Sequence, residues 1–477
     1  MAIRTGADFL ESLRDNRRVW LRGERVEDVT TDPALGPYAH TLAETYDLHH
    51  DPELQPRLTI KSPLSEGLIS ASYLLPRSGD DLCRRRETIE FWARRCGGVA
   101  ARLPDHEALL NAGIYDARAI IGEEYPEYAD NIVHWFETIR ESDQLQMPAF
   151  SDPPRDSGRP MAEAEALKVV KRTSDGVVVR GARSVSTAAP YGNEMLILTI
   201  AKPVNSAEEI LFFALPSDTE GVQFICRPAS LPTNPEDHPL SPQWDEMDAS
   251  IVFDNVFVPR ERIFYIPDEI KSPAFLARLF ANMLTWAHWD TLIRATVKTE
   301  VILGIVAAMT DYLSSRKRMD VQLAIAEIIL HVESLRAILH KAETQCVASA
   351  SGLAAPDLEL VTMGRTLITQ NQHKVLHTLR VLSGSGILMA PGKAELANPE
   401  LRPFLDQYFI DKDERAEDRF NMLKLARDYG TDSFGGRQLL FEIYNSRSAN
   451  DNALAVLSDY DLEPYVRMTK DLAGVPL

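Results

Sequence analysis

Residues 167–180 read LKVVKRTSDGVVVR, two valine-rich runs joined by the tripeptide Ser174-Asp175-Gly176. This pattern predicts a β-hairpin, because aspartate and glycine suit a tight turn and β-branched side chains suit the flanking strands. Further runs rich in valine, isoleucine and phenylalanine predict strands at 195–200, 210–215, 222–226 and 249–258. With few helices between them, such strands favour an antiparallel sheet or barrel over a doubly wound sheet.

The sequence on both sides of this β-region has the spacing of helices. Apolar residues recur at intervals of three and four over 132–139, and again over 321–339, where the stripe suits a helix bundle. Prolines concentrate between 148 and 160 and mark a boundary, since proline fixes φ and lacks a backbone donor. We therefore predict an α+β fold with an N-terminal helical domain that includes a small β-hairpin (1–145), a central antiparallel β-domain (146–268), and a C-terminal helical bundle and tail (269–477).

The composition is that of an ordinary globular protein. Of 477 residues, 45% are hydrophobic and 25% are charged, which disfavours disordered, collagen-like and coiled-coil classes. The net charge of −19 disfavours broad binding to nucleic acids or anionic membranes. No apolar run approaches the ~18 residues of a membrane span, and the N-terminus lacks the apolar segment of a secretion signal. We expect a cytoplasmic protein with no nucleic-acid or membrane partner.

The cysteines and histidines show no metal-binding pattern. The 4 cysteines are scattered and form no CxxC pair, which excludes the usual zinc and iron–sulfur spacings. His373 and His377 lie four apart on a predicted helix, but without a third ligand we predict a surface or interface pair. The group Trp286, His288 and Trp289 is interpreted as packing. The sequence therefore predicts no metal.

Two short segments carry residues suited to binding an anion. In 101–106, Arg102 could hold an anionic oxygen and His106, four residues on, could carry a proton. In 432–437, two glycines would let the backbone approach a bulky anion, which Arg437 could bind with two nitrogens. Taken alone, each segment is more typical of a plain structural feature, a helix start in the first and a turn between helices in the second.

Several segments, in their order and spacing, resemble one known family. They are 5–13, 23–33, 245–249, 254–259, 397–399 and 433–437. Together they resemble the oxygenase component of two-component, reduced-flavin-dependent monooxygenases, typified by 4-hydroxyphenylacetate 3-monooxygenase. The resemblance covers nearly the whole chain, although each fragment alone is weak.

The resemblance implies an acyl-CoA-dehydrogenase-like fold assembled as a homotetramer. It also implies FADH2, delivered by a separate NAD(P)H-dependent flavin reductase, and O2 as co-substrate. One oxygen atom would enter a phenolic or related aromatic substrate ortho to its hydroxyl, through a flavin C4a-hydroperoxide. Such an intermediate decays if water reaches it, so the pocket must exclude solvent.

The resemblance also suggests which residues meet the substrate. Arg102 matches an arginine of the family, whereas His106 stands where the family has a tyrosine. The family's histidine aligns near Pro148, with Met147 beside it, and Thr199 falls near the family's substrate wall. Two of the three usual substrate-side groups have therefore changed. We expect Arg102 and His106 to be catalytic, because an imidazole with a pKa near 6.5 suits proton transfer at neutral pH. His106 could equally bind a different substrate group, and a substrate other than a phenol stays open.

For the flavin, the resemblance suggests a loop, a strand residue and a turn. Thr187 could donate a hydrogen bond to the isoalloxazine edge, and Arg437 with the glycine backbone could approach the ribose or pyrophosphate. The full set is Pro153, Pro154, Arg155, Thr187, Ser433, Phe434, Gly435, Gly436 and Arg437.

Three alternatives are weighed against the oxygenase. A 4-hydroxybutyryl-CoA dehydratase is disfavoured, because Cys96 has no partner cysteine three or four residues away. An acyl-CoA-dehydrogenase-like flavoenzyme would need a dedicated carboxylate base. A catalytically inactive paralogue acting as a scaffold is suggested by the missing tyrosine and histidine.

Overall fold

The computed structural model describes residues 3–153, 166–199, 204, 206–230, 232, 234–409, 416–445 and 448–475. The helices are α1 (Gly6–Ser12), α2 (Gly36–Asp47), α3 (Gln55–Leu58), α4 (Gly79–Arg95), α5 (Pro104–Ile121), α6 (Pro126–Glu141), α7 (Ser241–Trp244), α8 (Pro273–Tyr312), α9 (Met319–Thr344), α10 (Leu358–Leu382), α11 (Gly386–Met389), α12 (Lys393–Ala397), α13 (Arg402–Tyr408), α14 (Ala416–Gly430), α15 (Ser433–Asn445), α16 (Ala449–Asp459) and α17 (Glu463–Ala473). The strands are β1 (Val19–Leu21), β2 (Glu24–Val26), β3 (Thr59–Lys61), β4 (Leu68–Ser70), β5 (Gln146–Ala149), β6 (Lys168–Thr173), β7 (Gly176–Thr187), β8 (Glu194–Leu198), β9 (Phe212–Pro216), β10 (Val222–Cys226), β11 (Asp248–Pro259), β12 (Ile263–Tyr265), β13 (Val347–Ala348) and β14 (Ala354–Ala355). Helices thus precede and follow a β-rich centre, in the order that the periodicity predicts.

The β-rich centre consists of two sheets. One has the strand order β2-β1-β10-β11-β7-β6 and the other the order β12-β9-β8-β5. The predicted hairpin is β6–β7, in which Thr173 pairs with Gly176. Gly176 has φ +152°, and a side chain there would collide with the Val258 carbonyl oxygen on β11. A glycine is therefore required where this hairpin turns against its neighbouring strand.

The short N-terminal hairpin belongs to the six-stranded sheet. β1 pairs in parallel with β10, with Val19 opposite Phe224, and β5 pairs in parallel with β8. The other neighbouring strands in the two sheets are antiparallel, as predicted. The division into domains at 145 and 268 stays a prediction, and β1–β2 extends the central sheet even though it precedes the first of these boundaries.

Helices α5 and α8 run antiparallel in close contact and position the candidate site. Pro104 begins α5, where its missing N–H costs no hydrogen bond. A side chain at Gly113 would collide with the Met283 carbonyl oxygen, so this glycine lets the two helices approach closely. Toward the start of α5, His106 meets Asp290 of α8. In the described part of the chain, no helix is long and apolar enough to cross a membrane.

Glu343, at the end of α9, is a buried carboxylate whose charge is only partly compensated. Its Oε1 accepts a hydrogen bond of 3.1 Å from Trp289 Nε1, and Arg86 Nε lies 3.3 Å from Oε2. Burial raises the pKa of Glu343 from 4.5 to about 7, against the opposing effects of Arg86 and Trp289. Between pH 4.5 and 7 the folded chain keeps a proton on Glu343 that the unfolded chain has lost, so this group destabilises the fold as pH rises.

Glu343→Gln is therefore expected to raise the free energy of unfolding by about 3 kcal/mol at pH 8 and by less than about 1 kcal/mol at pH 5. Glutamine does not titrate and can still accept the hydrogen bond from Trp289. Urea unfolding of both proteins at the two pH values measures the difference. A gain that is the same at pH 5 and pH 8 would contradict the assigned ionisation.

Candidate active site

A cavity of about 940 Å³ lies where the helical and β-rich regions meet. This volume is at the upper end of the ~300–1,000 Å³ that small-molecule sites occupy. Its walls come from α5, α8, α10 and α15 and from strands β5, β7, β8, β10 and β11. Residues distant in sequence therefore converge on one cavity.

The wall formed by α5 and α8 follows the helical repeat. On the α5 side, Arg102, His106 and Leu110 succeed one another at intervals of four, so all three can face the cavity. The α8 residues on the wall are Phe280, Leu284, Ala287, His288 and Thr291. Half of the eight side chains on this wall are apolar, and the polar ones lie among them.

The side chains of Arg102, His106 and Asp290 form a connected chain of polar contacts. His106 Nε2 lies 2.5 Å from Arg102 Nη1, and His106 Nδ1 lies 2.5 Å from Asp290 Oδ2. Burial raises the pKa of Asp290, but His106, Arg294 and Arg85 outweigh that effect and leave the pKa below its ordinary value. Asp290 therefore remains a carboxylate beside the imidazole.

Arg102 is held by its backbone as well as its side chain. Glu246 Oε1 accepts hydrogen bonds from the backbone N–H groups of Ala101 (2.7 Å) and Arg102 (2.5 Å). Arg102 Nη1 also lies 3.5 Å from Glu107 Oε1. Arg102 Nε is buried and has no hydrogen-bond partner among the described residues. The guanidinium thus keeps a donor for a further acceptor.

Two carboxylates before and at the start of β11 hold Arg437 from α15. Asp248 accepts from Arg437 Nε (3.0 Å) and Nη2 (2.7 Å), and Glu246 accepts from Nη1 (3.0 Å). Asp248 also accepts from the Thr187 hydroxyl (2.7 Å) and from Arg227 Nε (2.8 Å). Burial raises the pKa of Asp248, but Arg437 and Arg227 outweigh it and lower the pKa to about 2. Glu246 therefore links Arg437 to the backbone of Arg102.

Comparison with known proteins matches the chain to the 4-hydroxyphenylacetate 3-hydroxylase family, with the N-terminal part at residues 5–265 and the C-terminal part at residues 277–474. The chain belongs to this family. It is 33% identical over 456 residues to the oxygenase component of 4-nitrophenol 4-monooxygenase/4-nitrocatechol 2-monooxygenase from Rhodococcus opacus, covering 93% of this chain and 85% of the relative. It is 33% identical over 471 residues to the 4-hydroxyphenylacetate 3-monooxygenase oxygenase component of Thermus thermophilus, covering 97% and 95%.

A solved structure has the same architecture. The crystal structure of the oxygenase component of 4-hydroxyphenylacetate 3-monooxygenase complexed with FAD has a TM-score of 0.91 and 31% identity to this chain, covering 98% of both. These similarities confirm the family, the acyl-CoA-dehydrogenase-like α+β fold and the monooxygenase class predicted from the sequence.

Only part of the predicted flavin-binding turn faces the cavity. Arg437 lines it, whereas Ser433, Phe434, Gly435 and Gly436 do not. Phe434 is fully buried in the core, and a side chain at Gly435 would collide with the backbone of α14. The motif therefore packs the start of α15 against α14. The cavity-lining residues of α15 follow Arg437 at helical spacing and are Leu440, Phe441, Tyr444 and Asn445.

The predicted substrate wall is divided in the same way. Met147 is fully buried in the core while Pro148 lines the cavity, because successive strand residues point to opposite faces. Thr199 is buried, and its hydroxyl donates to the Glu209 carbonyl (2.8 Å) and accepts from Arg183 Nη2 (3.1 Å). Neither Met147 nor Thr199 is on the cavity wall.

The remaining predicted flavin-binding residues are Pro153, Pro154, Arg155 and Thr187. Pro154 and Arg155 lie outside the described residues, and Pro153 is not on the cavity wall. Thr187 lines the cavity, but its hydroxyl donates to Asp248. The donor role of Thr187 toward the isoalloxazine stays a prediction.

Several polar residues of this site, among them four that take part in its contacts or line its wall, are not predicted from the sequence. His288 lines the cavity, although it is interpreted as packing with Trp286 and Trp289; only the two tryptophans are fully buried. The helical spacing of four between Leu284 and His288 is a signal that would have placed His288 on the same face. The other missed residues are Asp290, Glu246 and Asp248, whose partners are distant in sequence.

Proposed function

We propose that this chain is the oxygenase component of a two-component monooxygenase that inserts one atom of O2 into a phenol, using FADH2 from a separate flavin reductase. The observation that best supports this proposal is the contact between Arg102 and His106 on the wall of a large, mainly apolar cavity. Family membership supports the reaction class, and the relatives act on 4-nitrophenol and 4-hydroxyphenylacetate, which are both phenols. His106, in place of the expected tyrosine, distinguishes this chain on the substrate side.

The cavity residues fit a flavin dinucleotide. Arg227 and Arg437 lie on one wall, where their N–H groups could meet a pyrophosphate although carboxylates already pair with both. Phe441 and Ile225 offer apolar surface to a ring system. Arg437 would bind the cofactor while its positive charge is balanced by Asp248 and Glu246. Bound FADH2 supplies the electrons with which O2 is activated.

Arg102 and His106 meet the chemical needs of a phenol. A phenol becomes a better nucleophile at its ortho carbon when its hydroxyl, with a pKa of about 10, loses its proton. The guanidinium of Arg102 favours the phenolate, and the imidazole of His106 can accept the proton. Leu110, Phe280 and Leu284 on the same wall exclude water from the ring.

Turnover under ¹⁸O2 tests the proposal. The purified chain, FAD, NADH and an unrelated flavin reductase are incubated with a panel of phenols, and products are examined by mass spectrometry. One ¹⁸O atom in an ortho-hydroxylated product is expected for at least one phenol. If no phenol is converted and O2 is consumed only at the rate of free FADH2, the chain acts as a scaffold or on another substrate class, and the proposal fails.

The proposal includes a homotetramer. Exposed large apolar side chains concentrate in the C-terminal helices, among them Met319, Leu323, Leu330, Leu388, Met389, Phe404, Tyr408, Leu454, Leu457, Met468 and Leu472. Tyr444 is 76% exposed and lines the cavity mouth, so a second copy packed on this region would shield the cavity. Light scattering in solution measures the number of chains per particle.

The reductase partner and the location complete the proposal. FADH2 reacts with O2 on its own, so the supply has to come from a reductase in the same compartment. We place both proteins in the cytoplasm, where NAD(P)H is available to the reductase. Co-fractionation of the oxygenase with flavin reductase activity checks this.

A further inference from the structure

We propose that Asp290 is a positioning residue that makes His106 the proton acceptor for the phenol. The inference rests on the proposed function and deepens it, because it assigns the substrate's proton to one nitrogen atom of one residue. Asp290 lies on α8, 184 residues beyond His106, and no sequence motif links the two.

The contacts determine which nitrogen of His106 carries a hydrogen. An arginine can only donate, so the 2.5 Å contact with Arg102 Nη1 makes His106 Nε2 an acceptor. The hydrogen of the neutral imidazole is then on Nδ1 and points at Asp290 Oδ2, 2.5 Å away. His106 is 6% exposed and Asp290 is 3% exposed, so water competes little for this pair. The arrangement is that of a carboxylate–histidine pair whose second nitrogen, Nε2, lies against Arg102 on the cavity wall.

The surrounding charges keep Asp290 ionised. Asp105 faces the pair from the start of α5, with Arg85 of α4 bound to it at 2.9 Å, and Arg294 stands one turn beyond Asp290 on α8. The charged and titratable groups around His106 are Arg102, Asp105, Glu107, Arg85, Glu246, Asp290, Arg294 and, on the same cavity wall, His288. Burial raises the pKa of Glu107, and Arg102 and His106 oppose this effect.

The proton balance of the step is simple. Because Arg102 Nη1 and His106 Nε2 lie 2.5 Å apart, the phenol oxygen would have to replace their direct contact, accepting a hydrogen bond from the guanidinium and donating one to Nε2. Its O–H bond breaks, the proton goes to Nε2, and the electron pair stays on oxygen. The imidazolium is then stabilised by the carboxylate of Asp290, which keeps its charge and takes no proton. Without Asp290, the imidazolium would lose its counter-charge and the ring would lose the contact that fixes its orientation.

An equilibrium titration without turnover tests this directly. 4-Nitrophenol, whose phenolate absorbs visible light, is bound to the protein with oxidised FAD and no reductant, and its ionisation is followed from pH 5 to pH 9. In the wild type the pKa of the bound phenol is expected to lie below its value in buffer. Asp290→Asn is expected to raise that pKa by about one unit, a tenfold change in the ionisation equilibrium.

The matched control is Asp116→Asn. Asp116 is a fully buried carboxylate on the same helix as His106, and it accepts hydrogen bonds from Asn282, Ser349 and Ser351. Its loss is expected to lower thermal stability without moving the pKa of bound 4-nitrophenol. Asp290→Glu is expected to restore part of the wild-type titration. If Asp290→Asn does not fold, His106→Gln with Asp290 intact must raise the same pKa.

Turnover adds a readout that a purely structural role would not change. In Asp290→Asn, kcat is expected to fall about 100-fold for a weakly acidic phenol and less than threefold for 4-nitrophenol, which is already ionised at pH 8. Equal losses on both substrates, or an unchanged pKa of bound 4-nitrophenol, would overturn the role of Asp290. The role of Asp290 would also be overturned if His288→Gln lowered kcat while His106→Gln remained active. If the wild type hydroxylates no phenol, it is the proposed function that fails.

Discussion

Arg102→Ala is expected to lower hydroxylated product at least about 100-fold while FADH2 oxidation by O2 continues. The reason is that the guanidinium is the cation at the phenol oxygen in the proposed site, whereas it has no part in the contacts of Arg437, Asp248 and Thr187 on the flavin side. Product is measured by chromatography, and uncoupled oxygen by the yield of hydrogen peroxide per FADH2. The ratio of product to peroxide should fall toward zero.

Two further variants make the Arg102 experiment specific. Arg102→Lys keeps a positive charge but loses the planar fork, and it is expected to retain part of the coupling. Arg118→Ala removes an arginine from the same helix α5, away from the cavity wall, and should couple oxygen to product as the wild type does. A coupling ratio in Arg102→Ala equal to that of Arg118→Ala would refute the assigned role.

Glu246→Ala is expected to lower the free energy of unfolding by about 3–5 kcal/mol, because removing one partner of a buried ion pair leaves the other uncompensated. Glu246 is fully buried and serves both the Arg437 guanidinium and the backbone N–H groups of Ala101 and Arg102. Urea unfolding at pH 7 measures the loss. Glu246→Gln retains an acceptor and should lose less.

An exposed acid serves as the comparison for Glu246. Glu261→Ala removes a glutamate at the surface, in the turn after β11, and is expected to change the free energy of unfolding by less than about 0.5 kcal/mol. A loss below about 1 kcal/mol in Glu246→Ala would contradict the anchoring role. Its product-to-peroxide ratio should also fall, because the backbone of Arg102 loses its acceptor.

Local patterns in the sequence predicted much of this fold. The turn at Ser174-Asp175-Gly176 forms the β6–β7 hairpin, and the apolar spacing over 321–339 forms α9. Such features depend on residues close together in the chain, which periodicity and turn chemistry report well. The spacing of four between Arg102 and His106 belongs to the same kind of signal, and the structure brings these two side chains together.

Contacts between distant segments could not be predicted in this way. In the parallel pairing of β1 with β10, Val19 lies opposite Phe224, and no local sequence pattern in either strand indicates the other as its partner. In the candidate site, the partners of Arg102 and His106 are Glu246 and Asp290, 144 and 184 residues away. Even within 433–437, local sequence does not distinguish glycines that face a ligand from glycines that pack two helices closely.

Because Glu246 binds two distant segments, it restricts where genes of this family can be recombined. The Glu246 carboxylate binds both the loop before α5 and Arg437 of α15. The three segments around Ala101–Arg102, Glu246 and Arg437 therefore depend on one another for their contacts. In a chimera whose crossover separates one of these segments from the other two, the glutamate comes from one parent, and the arginine or the loop that it binds comes from the other. Productive crossovers should therefore exchange these segments together, and a split at 268 alone, although it respects the predicted domain boundary, should cost both stability and coupling.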